Sequence, residues 1–242
     1  MSSIFDLILY RPMLNVLVYF YNTIAFGDLG ISIILLTLLI RLILYPFFEK
    51  NAYNQTIMQM IQPKVKEIQD KHKHDKQKQT EELLKLYKEH KVNPFYTFLF
   101  LLIQLPILII LYKLILNSFS TQFFNELYPF IVRPNNFQTY FLGLINLKNR
   151  SILLVVLAAA FQYLAGYLAL PKINKEKELL PAEKVARQMV FISPLLTIFI
   201  FFNFPAAISL YWLASSVFSV FQQIIINQRI HGQFKINNSK NS

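Results

Sequence analysis

A single arginine inside an otherwise apolar run limits what this chain can become. Residues 29–48 read LGISIILLTLLIRLILYPFF, and Arg41 is their one charge. The twelve residues that precede it in the run measure about 18 Å as a helix, at about 1.5 Å per residue. A hydrocarbon core is about 30 Å thick, so a helix spanning it with this sequence would hold the guanidinium well inside, somewhat past the middle. That placement costs roughly 2.5–3.5 kcal/mol on insertion scales, and an arginine cannot shed its proton to escape. Arg41 is therefore expected to face a wet cavity or a polar partner. The alternative is a side chain that snorkels to the cytoplasmic headgroups.

The remainder of the chain agrees with a membrane setting. Of its 242 residues 55% are apolar, 23 of them Phe, and the mean hydropathy is +0.40, too apolar for an ordinary soluble domain. Four further windows, 95–116, 151–170, 185–204 and 206–226, are long enough or nearly so to cross a bilayer. The expectation is an all-α integral membrane protein, one membrane domain over residues 1–242, with five transmembrane helices. The chain has no cysteine, which excludes disulfides, thiolate metal sites, a cysteine nucleophile and lipoprotein acylation. No cleavable signal peptide is expected, since Asp6 precedes the first apolar run and no A-x-A-like site follows. The lack of an Arg-rich, acid-poor transit sequence favours a bacterial plasma membrane.

The net charge of +11 matters through its placement. Residues 49–93 hold ten Lys, residues 171–187 hold four Lys and one Arg, and Arg229, Lys235 and Lys240 follow the last window. The other side has only Arg11, Arg133, Lys148 and Arg150. The positive-inside rule puts the Lys-rich segments in the cytoplasm. Five spans then start from an outside N-terminus and end at a cytoplasmic C-terminus. Orientation accounts for most of the basic charge, so DNA is not an expected partner; ribosomal RNA is the better polyanion for these loops.

Between the windows, residues 12–25 place Leu14, Leu17, Val18 and Tyr21 on one helical face. They are too few to span and suit an interfacial helix on the outer surface. A sixth, tilted span starting near Ile4 is the alternative. Pro46 is expected to kink the cytoplasmic end of the first span. Residues 49–93 carry apolar stripes at helical spacing (Ile57, Ile61, Val65 and Ile68, then Leu83, Leu84 and Tyr87) on either side of KHKHDKQKQ. They read as a cytoplasmic helical hairpin with Lys71, Lys73, Lys76 and Lys78 at a solvated tip, and stripes too thin to build a core. A flexible charged linker is the alternative. The outer loop 117–150 is expected to hold short interfacial helices, PKINKEKELLPAEK to be a short cytoplasmic connection, and 227–242 to be a short basic tail. Ser209, Trp212, Ser215, Ser216 and Ser219 stripe the fifth span, which fits either interhelical hydrogen bonds or a wet groove.

Missing chemistry narrows the function. There is no P-loop, no HExxH, and no Asp or Glu within any window, so ATP hydrolysis, zinc proteolysis and a carboxylate relay lack their groups. The four histidines all lie in cytoplasmic segments, which removes a membrane serine–histidine dyad. Neither an enzyme nor a metal or cofactor site is expected. A cation among scattered amides and hydroxyls can hold water and polar peptide segments within the bilayer, lowering the cost of their passage.

The strings RPMLNVLVYFYN, GDLGISIILLTLLIRLILYPF, QMIQPKVKEIQDKHKHDKQKQTEELLKLYKEHKVNPF, LLIQLPILIILYKL and FNFPAAISLYWLASSVFSVFQQ, in this order, resemble the YidC/Oxa1/Alb3 membrane protein insertases, close to the bacterial YidC type. The resemblance covers most of residues 10–228. It implies five core helices around a polar groove that opens to the cytoplasm and to lipid and is closed on the outer side. It also implies a groove arginine at Arg41, with groove-lining positions at Gln104, Gln162 and Trp212; Thr37 and Ser215 complete the candidate set. The lysine-rich hairpin would capture substrate. Nascent membrane proteins and the bilayer are the implied partners, with the ribosome, the signal recognition particle pathway and the Sec translocon beside them. Phe95-Tyr96-Thr97 stands where the family has glycines after Asn-Pro, and the tail is short for a ribosome-binding extension. The implied function is an insertase and chaperone that works without ATP. Two rivals stay open: a small-solute transporter with an anion site at Arg41, and a non-catalytic assembly subunit whose arginine pairs with another protein.

Overall fold

The structure is a computed structural model of the chain and describes residues 6–117, 121–170 and 181–240. A π-helical turn, Asp6–Tyr10, leads into α1, Arg11–Thr23, with Pro12 in its first turn, where a missing N–H costs nothing. Leu14, Leu17, Val18 and Tyr21 are buried, so the amphipathic face packs on the bundle. Asp28 caps α2, Leu29–Ile43, by accepting from the Ile31 N–H at 2.9 Å. That satisfies one of the donors a helix start leaves open.

The helix of the first expected span, 29–48, is broken within that window. The chain breaks at Leu44 and restarts as α3, Tyr45–Lys71, bent by 74° from α2. The bend falls where a kink is expected, at Pro46. Pro46 occupies the first turn of the next helix, the position whose N–H has no intrahelical partner anyway. The hairpin therefore begins at Tyr45 rather than 49, and α3 runs on through Pro63. Its tip is also tighter than KHKHDKQKQ suggests. Only 72–75 form the turn, because Asp75 accepts from the Lys78 N–H at 3.0 Å and starts α4, Lys76–Glu89.

Four more long helices and a cap complete the described residues. Helix α5 covers Phe95–Asn117, α6 covers Ile152–Ala169 and α7 covers Pro181–Phe201. Helix α8, Ala206–Lys240, absorbs the expected tail, since no proline interrupts it after Pro205. Ile152–Ala169 and Ala206–Ile230 are each long and apolar enough to cross a membrane, and α2 with α3 passes as one bent pair. Leu102–Asn117 and Val190–Phe201 are shorter apolar stretches. The connection at 171–180 lies outside the described residues.

The loop expected to lie outside holds, among its described residues, one short 3-10 helix, Thr121–Glu126, and a small antiparallel hairpin. Its strands are β1, Tyr140–Phe141, and β2, Ile145–Asn146. Leu142 and Gly143 turn it with positive φ of 52° and 69°, within a three-residue loop, 142–144, between the paired Phe141 and Ile145. This loop is fastened to the helices through side-chain hydrogen bonds to its backbone. Asn15 donates to the Glu126 carbonyl at 3.2 Å and accepts from the Tyr128 N–H at 2.6 Å. The Tyr21 hydroxyl donates to the Asn136 carbonyl and accepts from the Gln138 N–H. Asp28 accepts from the Leu142 N–H. In return the loop carbonyls of Asn149 and Leu147 take the open N–H groups of Ala206 and Ala207 at the start of α8. Beneath this cap lies the main core, in which Leu14, Ile33, Ile110, Leu114, Leu147 and Ala206 are wholly buried.

A second cluster corrects the expectation that the hairpin's stripes are too thin to build a core. Ile57, Ile61, Val65, Leu86 and Val92 are completed by Ile226 and Ile230 of α8. The extra helical turns beyond residue 226 supply the missing apolar surface.

Candidate functional site

Helix α2 ends two residues after Arg41, so the guanidinium sits in its last turn. The helix C-terminal dipole favours a cation there. Only 8% of Arg41 is exposed. Its Nε donates to the Ser215 hydroxyl of α8 at 2.9 Å, and a second guanidinium nitrogen donates to the same oxygen. The Phe48 ring lies 4.1 Å from its central carbon and the Phe218 ring 5.8 Å, both in cation–π range. Among the described residues no carboxylate pairs with it. The charge thus turns inward to a hydroxyl and two rings, rather than snorkelling.

Arg41 borders a cavity of about 790 Å³. Among the described residues it is the only charged side chain in the lining, which otherwise mixes apolar residues with amides and hydroxyls. Helix α5 brings Gln104, 5% exposed, whose Nε2 donates to the Tyr211 hydroxyl at 2.5 Å while its Oε1 has no hydrogen-bond partner among the described residues. Gln162 of α6 ties three helices together. Its Nε2 donates to Ser193 of α7, and its Oε1 accepts from Thr197 at 2.5 Å and from the Trp212 indole at 2.9 Å. Trp212 in turn packs on Phe201 with ring centroids 4.9 Å apart.

Five of the sequence-predicted groove residues therefore share one lining: Arg41, Gln104, Gln162, Trp212 and Ser215. Thr37 does not join them. It is 1% exposed and its hydroxyl turns back to the Ile33 carbonyl of its own helix at 2.7 Å. Sequence reasoning missed Asn51, Gln55 and Gln59 of α3, and Gln222 and Gln223 of α8, which line the same cavity. Their spacing of four along α3 was a readable signal, but in a lysine-rich loop it resembles any solvated face. Lys71, Lys73, Lys76 and Lys78 are exposed at the hairpin tip, away from the cavity. Among the described residues no group of three His, Asp or Glu is placed to hold a metal ion.

A family model described as 60Kd inner membrane protein matches residues 19–233. The chain belongs to the YidC/Oxa1 family. It is 31% identical over 213 residues to a protein named membrane protein insertase YidC from Nitratidesulfovibrio vulgaris, covering 88% of this chain and 37% of that protein. It is 32% identical over 209 residues to the protein of the same name from Francisella philomiragia, covering 86% and 34%. The chain spans about a third of the length of these relatives. Family membership agrees with a membrane protein built on apolar helices. The matched region takes in both the cavity and the outer cap.

Proposed function

We propose that this chain is a membrane protein insertase and chaperone. It receives nascent membrane proteins in the polar cavity and releases their helices into the bilayer, without ATP. Five spans, formed by α2, α5, α6, α7 and the first part of α8, surround the cavity, with the N-terminus outside and the C-terminus in the cytoplasm. The observation that carries this reading is Arg41, a buried cation without a carboxylate in a cavity of about 790 Å³ lined by amides and hydroxyls. Such a site does no bond chemistry. It stabilises water and a polar, preferably acidic, segment at a depth where both are otherwise costly.

In this mechanism the substrate first meets the lysine-rich hairpin, where the ribosome, the signal recognition particle pathway or the Sec translocon would deliver it. Its polar outer segment enters the cavity beside Arg41, and its apolar helix slides into lipid. Partitioning drives that step, at about −0.3 to −0.6 kcal/mol for each central Leu, Ile, Phe or Val. The membrane potential adds roughly 2.3 kcal/mol per charge per 100 mV for an acidic segment.

Insertion of a short single-span protein into liposomes holding the purified chain tests the reading. Arg41→Lys keeps most of the activity and Arg41→Ala loses it for substrates with acidic outer segments. Equal insertion of such substrates by wild type and Arg41→Ala would sink it.

A further inference from the structure

Tyr211 is buried one helical turn before Ser215 on α8 and is not among the residues that line the cavity. Its hydroxyl is hydrogen-bonded to two side chains, Ser215 and Gln104. Arg41, Ser215, Tyr211 and Gln104 thus form one connected chain across α2, α8 and α5, and all four are buried. Among the described residues no carboxylate pairs with the cation at its head.

Counting donors and acceptors gives the chain a direction. Ser215 Oγ accepts two N–H groups of Arg41. A hydroxyl oxygen has two lone pairs and one proton, so the link from Ser215 to Tyr211 is a donation. The Tyr211 oxygen then accepts from Ser215 and still has its own proton to give. Gln104 is the partner left to take it. With the Gln104 nitrogen towards Tyr211, that proton and the buried Gln104 carbonyl both go unpaired. Turning the amide by 180° exchanges its oxygen and nitrogen with little change of shape, and lets the carbonyl accept the tyrosine proton. The separation agrees. At 2.5 Å it lies within the range of an O–H···O hydrogen bond and below that of N–H···O.

We infer that Tyr211 is a positioning residue for Arg41, acting through a one-way relay in which Ser215 donates to Tyr211 and Tyr211 donates to the Gln104 carbonyl. The inference rests on the insertase reading and deepens it. Each hydroxyl proton of the relay points away from the guanidinium and each oxygen towards it. Hydrogen bonds arranged in this way polarise one another in a low dielectric. The relay therefore stabilises the cation and fixes its planar fork without a carboxylate. A carboxylate partner would neutralise the charge that an acidic substrate segment has to meet, and the relay leaves that charge in place.

Tyr211→Phe removes the hydroxyl and keeps the ring. Ser215 then loses the acceptor for its proton, and its hold on Arg41 weakens. The first readout is nitrogen-15 NMR of the arginine-labelled full chain in lipid nanodiscs, where the Arg41 Nε–H signal is the one lost in Arg41→Lys. Exchange of this proton with water speeds about fivefold in Tyr211→Phe, the factor that one hydrogen bond contributes. The second readout is insertion into liposomes of two single-span proteins that differ only in an acidic or a neutral outer segment. Tyr211→Phe slows the acidic one about fivefold and the neutral one by less than about twofold. In an Arg41→Lys background the same change costs less than about twofold for both, because an ammonium turns its donors freely and needs no fixed fork.

Unchanged Nε–H exchange in Tyr211→Phe overturns the inference. So does equal slowing of both substrates, or the same slowing in the Arg41→Lys background, as a merely structural role for Tyr211 would give. Gln104→Leu cuts the far end of the relay and keeps the test open where Tyr211→Phe fails to fold: faster exchange is expected, and unchanged exchange overturns the inference. The two readouts also separate the two claims. Arg41-dependent insertion with unchanged exchange removes the relay alone, and faster exchange in a chain whose wild type inserts nothing removes the insertase reading alone.

Discussion

The two ends of the helix bundle solve opposite problems. At the end proposed to be outer, Asn15, Tyr21 and Asp28 satisfy the loop's backbone groups, loop carbonyls satisfy the start of α8, and large side chains such as Ile110 and Leu114 have no exposure. At the end proposed to be cytoplasmic, α2 breaks and bends by 74°, a cavity opens, and Asn51, Gln59, Gln104 and Gln222 each have a buried amide atom without a hydrogen-bond partner among the described residues. The larger core thus lies on one side and most of the unpaired amide atoms on the other, although Ser209 Oγ near the cap also lacks a hydrogen-bond partner among the described residues and the hairpin has a smaller core of its own. Stability should reside in the cap and its core, and function in the poorly satisfied half, where strain and open hydrogen-bonding groups are usually found.

The largest contrast comes from truncating one side chain at each end. Leu114→Ala empties a fully enclosed site in the outer core and should cost about 2–5 kcal/mol, read as a fall in the thermal unfolding temperature in detergent or nanodiscs. Gln104→Leu, in the cavity wall, should stay within about 1 kcal/mol of wild type. It gives up one hydrogen bond to Tyr211 but also removes an unpaired buried amide atom. Similar losses for both would erase the distinction between the halves.

A smaller effect sharpens the picture of the cap. A Cβ added to Gly30 would lie 2.3 Å from the Phe141 ring, so α2 and the β1–β2 hairpin meet at a point only glycine allows. Gly30→Ala should cost about 1–3 kcal/mol through overpacking. Phe141→Ala in the same chain should restore part of it, since the ring carbons at 2.3 and 2.6 Å go while the Phe141 Cβ at 2.6 Å stays. Without that rescue the close approach is not what holds the cap in place.

Much of the fold is legible in the sequence because helices that face lipid need long apolar runs, and five such runs are plain to see. What escaped depends on partners far away in the chain. The break at Leu44 was hidden because Pro46 signals the end of one helix and the start of another equally well. The β1–β2 hairpin has two-residue strands, too short for any alternation, although Leu142-Gly143 is a fair turn signal. In the candidate site, Arg41 announced itself by its cost. Its contact with Ser215 joins positions 174 apart, and the three partners of Gln162 exist only once α6, α7 and α8 have docked. The amides of α3 were invisible for a different reason: in a cytoplasmic hairpin a polar row needs no explanation until a cavity is found on it.

The smallest effect on stability belongs to the hairpin tip, and it tests whether the cytoplasmic half works through charge before substrate reaches the cavity. Lys71, Lys73, Lys76 and Lys78 are exposed and stand clear of the Ile57–Ile61–Val65 cluster that docks on Ile226 and Ile230. Replacing all four with Gln should leave the unfolding temperature nearly unchanged, within about 0.5 kcal/mol, because exposed substitutions away from packing rarely do more. Insertion should slow severalfold at low salt, since a basic patch accelerates encounter with acidic partners. The gap to wild type should close as salt rises and the screening length falls from about 10 Å at 0.1 M to about 3 Å at 1 M. A slowing that is independent of salt would point to contacts other than charge, and an unchanged rate at low salt would take the tip lysines out of the mechanism. A large loss of stability would mean instead that the tip belongs with the packed outer half, and that the division between the two ends is drawn in the wrong place.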